Sequence, residues 1–274
     1  FTIVLKSFSE DEAAYIINGF YLRSCVFDEF KKKDKIKSLS VLVANPSMTE
    51  DLFYAKIKKT SDGILFAKRM CYLPPNILNP AYMLQEIKNL FKNEKDVTIR
   101  VINREEMQTL NMNLIYGVGM GSIHDPYVVL VQRGENPTTA LLGKGVTFDT
   151  GGISLKPSDS MMKMKYDMAG AASVIGAIYA ADTPLLAIVG LVENMIGARA
   201  QRVSDIVTSM SGDRVEILNT DAEGRLILAD LMTLAQTYKN IKEIIDLATL
   251  TGAVGVALGK EYAAIMGNNQ KLID

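Results

Sequence analysis

Residues 219–226, Asn-Thr-Asp-Ala-Glu-Gly-Arg-Leu, crowd two carboxylates and a guanidinium into five residues beside a glycine. Ahead of them Arg214, Val215, Glu216, Ile217 and Leu218 alternate like a strand. Behind them Ile227, Leu231, Leu234 and Tyr238 recur at helical spacing. The acidic cluster is therefore expected where a strand hands over to a helix, and in open α/β sheets that carboxyl-end crevice is where ligands bind. A helix N-cap accounts for one such carboxylate, because Asp or Asn before a helix satisfies free amides and Glu favours the first turn. It does not account for the octapeptide as a whole.

A second constellation lies upstream, in Leu-Gly-Lys-Gly-Val-Thr-Phe-Asp-Thr-Gly-Gly-Ile-Ser-Leu-Lys over residues 142–156, read as running from a strand into a loop. Gly143-Lys144 invites a P-loop reading, but Thr138 stands where the first glycine belongs and Gly145 where Ser or Thr belongs, so nucleotide binding is excluded on both counts. What remains is Lys144, Asp149 and Lys156 in glycine-permitted backbone, followed by Asp167 at the mouth of an Ala/Gly-rich helix. Asp149, Asp167, Asp221 and Glu223 are then four carboxylates that one crevice can collect. They would repel one another in a partly dry site unless cations neutralise them, and two divalent ions balance the count. An oxygen-rich, histidine-free set suits Mn²⁺, Mg²⁺ or Zn²⁺, with bridging carboxylates holding a pair about 3.5–4 Å apart. Beside two dications the pKa of Lys144 would be driven down, which lets it bind metal as a neutral amine.

The remainder of the chain sets the frame. With 274 residues, 48% hydrophobic and 22% charged, it is globular and long enough for one large domain or two smaller ones. A formal charge of -1 provides no general attraction to nucleic acid or anionic membrane. Cys25 and Cys71 form no C-x-x-C pair, so a reduced, cytoplasmic setting is expected. The longest apolar run, Leu185 to Val192, reads as a buried strand and not a membrane span. His124 is the only histidine, which argues against a histidine-based metalloprotease motif or a Ser-His-Asp triad.

In chain order, Ser9 and Glu12 make a capping-box pattern before a helix bearing Ala13, Ile16, Ile17 and Phe20. Lys31, Lys32, Lys33, Lys35 and Lys37 read as a solvated loop. Residues 39–44 read as a strand and 49–73 as a long helix, ended by Pro74-Pro75-Asn76 and Asn79-Pro80, the best domain boundary in the chain. Helices over 83–91 and 104–110 and strands over 97–102, 127–132 and 138–142 follow, the manner of an α/β domain. Gly117, Gly119 and Gly121 read as a structural turn, since they lack G-x-G-x-x-G spacing.

Residues 219–226, together with Gly-Lys-Gly-x-Thr-Phe-Asp-Thr-Gly-Gly, Leu-Lys-Pro and Asp-Met-Ala-Gly-Ala, resemble the M17 family of leucyl (cytosol) aminopeptidases over nearly the whole chain. The resemblance implies an α/β fold with a mixed, largely parallel sheet sandwiched by helices. Residues 1–73 would be the remainder of a smaller N-terminal α/β domain and its linker helix, and 74–274 the catalytic domain, with both ends of the family's length missing. It implies Lys144, Asp149, Asp167, Asp221 and Glu223 as metal ligands, Asp149 and Glu223 serving both ions. Lys156 and Arg225 would be catalytic, with a bicarbonate held at Arg225 as general base. Met164, Asn219, Thr249, Leu250 and Gly252 would contact substrate, a peptide with a free N-terminus. A full-length homo-hexamer is implied, with no membrane or nucleic-acid partner. The alternative is a non-catalytic metal-binding or DNA-binding member of the same fold.

Overall fold

The computed structural model describes residues 2–5, 9–24, 27–30, 40–43 and 57–274. The lysine run at 31–37, Cys25 and the first part of the helix expected over 49–73 lie outside the described residues. Two short strands, β1 (Thr2–Leu5) and β2 (Ser40–Val43), pair in parallel around α1 (Glu10–Ser24). Helix α1 opens on the expected capping box: the Ser9 N–H donates to Glu12 Oε2 at 2.9 Å and the Glu12 N–H donates to Ser9 Oγ at 3.3 Å.

Helix α2 (Lys59–Tyr72) stops at the proline pair, and α3 (Pro80–Phe91) restarts with Asn79 Oδ1 accepting from the Tyr82 N–H at 2.9 Å. Next come β3 (Val97–Ile102), α4 (Arg104–Thr109), α5 (Asn113–Gly119), β4 (Tyr127–Arg133) and β5 (Thr139–Asp149). A single turn α6 (Ser158–Met161) and a 3₁₀ turn over Met164–Tyr166 lead to α7 (Ala169–Ala180) and β6 (Leu185–Asn194). The hairpin β7 (Ile206–Thr208) and β8 (Arg214–Glu216), α8 (Glu223–Gln236), β9 (Glu243–Leu247), α9 (Ala253–Leu258) and α10 (Gln270–Ile273) complete the order.

The central sheet runs β3-β4-β6-β5-β9. It is mixed: β3, β4 and β6 are antiparallel neighbours, whereas β6, β5 and β9 run parallel. Strand β6 is buried along nearly its whole length, as a strand covered on both faces must be. On one face α5 and α8 build a core with Leu142, Val146, Ile188, Val192, Ile227 and Leu231. On the other, α2, α3 and α7 pack around Met70, Met83, Ile87, Val174, Ile175 and Val189.

Four local expectations are corrected. Arg214–Glu216 is a strand, but among the described residues it pairs only with β7, and its alternating exposed side chains give it no place in the buried sheet. Strand β5 continues through Asp149, so Lys144 and Asp149 stand on a strand and not in a loop. Gly143 reads as a loop residue locally, yet it sits there because α7 crosses the strand closely: a Cβ on it would lie 2.6 Å from Ala171 Cα.

Gly117 and Gly119 belong to helix α5, not a turn. That helix has no side-chain cap of its own at Met112. Its free N–H groups at Leu114 and Ile115 donate instead to Asp230 Oδ2 on α8 at 3.0 and 3.1 Å, while the Met210 N–H donates to Oδ1 at 3.0 Å. Burial pushes the Asp230 carboxyl up from its ordinary pKa against these three donors. Asp230→Ala strands three donors in the core, each worth about 1–3 kcal/mol. Urea unfolding is expected to show a loss of about 3 kcal/mol or more; a loss below about 1 kcal/mol would mean that water replaces the carboxylate.

Candidate functional site

The parallel half of the sheet carries the charged residues at its carboxyl end. Lys144 and Asp149 are five apart on β5, and on a regular strand they would face opposite sides. The pairing with β6 breaks between them: Val146 lies opposite Val192, yet Asp149, and not Phe148, lies opposite Asn194. This extra residue is a β-bulge, and it returns Asp149 to the side of Lys144. Asp167 arrives on the turn after Met164–Tyr166, Glu223 is the first residue of α8, and Asp221 sits two residues earlier.

Lys144 Nζ donates to Asp167 Oδ1 at 2.8 Å, lies 2.9 Å from Glu223 Oε1 and reaches Thr249 O at 3.3 Å. The Thr249 hydroxyl donates to Asp167 Oδ1 at 2.7 Å. Lys156 Nζ stands 2.9 Å from Asp149 Oδ2 and is also paired with Asp221. Asp149, Asp221 and Glu223 each offer a carboxylate oxygen within 4.8 Å of the others. Lys144, Asp149, Asp167 and Glu223 are each at most 5% exposed. The bare backbone of Gly224 lets the Lys144 stem cross the start of α8, since a Cβ there would lie 2.9 Å from Lys144 Cε.

Burial strongly shapes the charges. It pushes Glu223 up to about 7, with Lys144 pulling down and Asp149 pushing further up. It also raises Asp167, against the pull of Lys144. Burial disfavours the Lys144 ammonium, but Glu223 and Asp167 outweigh it and hold its pKa above the ordinary lysine value. Lys156 is likewise raised, its burial offset by Asp221 and Asp149.

Four carboxylates thus face two ammonium groups, and the balance is incomplete. Asp167 Oδ2 and Glu223 Oε2 are buried and accept no hydrogen bond from the described residues, a situation that is rare for native acceptors without an explanation such as an ion. A donor set of four carboxylates, which Lys144 can join as an amine only once it has given up its proton, without histidine or thiolate, fits divalent cations that favour oxygen. The residues therefore fit a metal centre.

The structure gathers Lys144, Asp149, Lys156, Asp167, Asp221, Glu223 and Thr249 into one cluster. The other expected residues stand around it differently. Met164 is half-buried and meets the cluster through its carbonyl, which accepts from the Asp167 N–H at 3.4 Å. Asn219 is exposed, and its Oδ1 accepts from the Asp221 N–H at 2.9 Å, an Asx turn that shapes the loop carrying Asp221. Arg225 is exposed on the first turn of α8, and its side chain makes no hydrogen bond or ion pair among the described residues. Leu250, 45% exposed, approaches Gly224, and Gly252 is exposed and free of the cluster.

Sequence reasoning missed Asn194 and Thr220. Asn194 Nδ2 donates to Asp149 Oδ1 at 2.8 Å and to Thr220 O at 3.1 Å. The Thr220 hydroxyl donates to Gly151 O at 2.6 Å and accepts from the Ser154 N–H at 2.8 Å. The available signal was a polar pair, Glu193-Asn194, closing an apolar strand at the end of the sheet where ligands collect.

Residues 65–274 match the model of the cytosol aminopeptidase family, catalytic domain. The chain is 42% identical to a "Probable cytosol aminopeptidase" of Wolbachia pipientis wMel, over 96% of this chain and 56% of that protein. It is 43% identical to a protein of the same description from Phytoplasma australiense, over 93% and 54% respectively. A third, from Pseudomonas fluorescens (strain Pf0-1), is 41% identical over 96% and 55%. The chain thus spans about half the length of the curated relatives it matches. Among the described residues no helix is long and apolar enough to cross a membrane. With the family's catalytic-domain model covering most of its length and its charged motifs gathered into one metal-fitting cluster, the chain belongs to the cytosol aminopeptidase family.

Proposed function

We propose that the protein is a metal-dependent aminopeptidase that hydrolyses the N-terminal residue, preferably leucine or another apolar residue, from peptides at a two-metal centre. One observation carries the reading: four carboxylates converge on a buried site that two lysines neutralise incompletely, leaving Asp167 Oδ2 and Glu223 Oε2 unpartnered. Family membership gives it a reaction class.

In this reading Asp149, Asp167, Asp221 and Glu223, with Lys144 once it has given up its proton, would hold the ions, Zn²⁺ or Mn²⁺ with Mg²⁺ a third fit, Asp149 and Glu223 serving both. Bound divalent ions supply Lewis-acid activation of the scissile carbonyl and of water. Lys156, at the edge of the cluster with a 13% exposed side chain, donates to the oxyanion that develops on the carbonyl oxygen. Arg225 is exposed and uncommitted among the described residues, which leaves its guanidinium able to hold a bicarbonate as general base. Met164, Asn219, Thr249, Leu250 and Gly252 would contact the substrate, a peptide with a free N-terminus. Residues 74–274 form the catalytic domain and residues 1–73 belong to a smaller N-terminal unit. The whole protein works as a cytoplasmic homo-hexamer.

Metal removal tests this proposal. Elemental analysis of the purified protein is expected to find about two divalent ions per chain. A chelator should remove them and abolish release of p-nitroanilide from leucine p-nitroanilide, and added Mn²⁺ or Zn²⁺ should restore it. Hydrolysis that survives complete metal removal contradicts the proposal.

A further inference from the structure

Asn194 closes strand β6 and lies directly opposite Asp149 across the bulge, so the two side chains leave the sheet on the same side. It is 4% exposed, and its carboxamide donates in two directions. One bond goes to Asp149 Oδ1 at 2.8 Å and the other to the Thr220 carbonyl at 3.1 Å, next to Asp221 in sequence. Its own carbonyl accepts from the Thr150 N–H at 2.9 Å and the Thr150 hydroxyl at 3.0 Å, which anchors the end of β6 to the residue after Asp149.

Asp149 Oδ1 therefore has two donors, Asn194 Nδ2 and the Gly151 N–H, both at 2.8 Å. With Oδ1 engaged in this way the carboxylate cannot rotate freely, and Oδ2 is the oxygen turned toward Lys156 and the cluster. The second amide hydrogen ties the same side chain to the loop carrying Asp221. One carboxamide thus joins the end of β5 to the loop carrying Asp221, two segments far apart in sequence, using both hydrogens of a single nitrogen.

We infer that Asn194 is a positioning residue of the metal centre: it fixes which oxygen Asp149 presents and the separation between the end of β5, which bears Asp149, and the loop bearing Asp221. This rests on the two-metal reading above. Partners that orient metal ligands typically matter by roughly 10–100-fold in metal affinity. Asn194→Leu keeps the γ-branched shape at a larger volume and removes both donors, and Asn194→Ser keeps a polar group too short to span both acceptors.

The test is titration of the metal-free protein with Mn²⁺, followed by electron paramagnetic resonance of the free ion and needing no turnover. Both variants are expected to bind Mn²⁺ roughly 10–100-fold more weakly. Thr150→Val is the comparison: it loosens the same strand end by removing the hydroxyl, which donates to the Asn194 carbonyl and accepts from the Gly152 N–H, without touching the Asp149 carboxylate, and should stay within about threefold of the parent. Mn²⁺ affinity unchanged in a folded Asn194→Leu or Asn194→Ser variant overturns the inference and leaves the metal centre standing. Equal weakening in Thr150→Val also overturns it, because the effect would then be one of general stability. No Mn²⁺ uptake by the unsubstituted protein overturns both this inference and the two-metal reading.

Discussion

Glu223→Ala is expected to leave the protein unable to retain either ion and without measurable peptide hydrolysis. Glu223 occupies the first turn of α8, 2% exposed, with Oε1 on Lys144 and Oε2 unpartnered. A buried carboxylate held at a pKa of about 7 is unfavourable in the metal-free chain, and a cation reverses that penalty. In the proposed centre this residue serves both ions, so its loss removes one bond from each. Residues that merely orient ligands are worth roughly 10–100-fold in metal affinity, so loss of a shared ligand should exceed that range. Elemental analysis after dialysis should fall from about two ions per chain to a small fraction of one. Asp167→Ala, which removes a ligand of a single ion, should lose mainly one. Two ions retained in Glu223→Ala would show that the assignment of the shared ligand is wrong.

Lys156→Ala is expected to separate metal binding from catalysis. Lys156 is charged, since Asp221 and Asp149 outweigh its burial and raise its pKa, and it lies at the less buried rim of the cluster. Its proposed task is a hydrogen bond to negative charge that exists only as the reaction proceeds, so substrate binding should change little. The variant should keep both ions while kcat falls by roughly 10²–10³, the range for one oxyanion donor. Lys156→Arg, which retains a cationic donor on a different geometry, should recover part of that loss. Parallel loss of metal and activity would move Lys156 into the set of ligands.

The charged cluster is legible in the sequence because its chemistry is local: 219–226 and 142–156 each bring their side chains together within a few residues, and the helix after Glu223 follows from the spacing of Ile227, Leu231 and Leu234. Strand β3 is legible for the same reason, as a short β-branched run. What is not legible depends on distant partners. The bulge that turns Asp149 toward Lys144 exists only against β6. Helix α5 is capped by Asp230, 116 residues from Leu114, so the glycines within it look like a turn when read locally. Asn194 acquires its meaning only when Asp149 and Thr220 stand on either side of it. The strand at Arg214–Glu216 alternates convincingly, but alternation alone does not say which sheet a strand joins.

The most direct test of the aminopeptidase assignment compares a leucyl peptide with its N-acetyl form on the metal-loaded protein. Recognition of the α-amine at a metal ion requires the nitrogen lone pair, which acetylation delocalises into an amide and protonation occupies. The free peptide should be cleaved after its first residue, faster as pH rises through the α-amine pKa of about 7.7–8.0, and the acetylated peptide should not be cleaved. Comparable rates on the two peptides would contradict the aminopeptidase assignment.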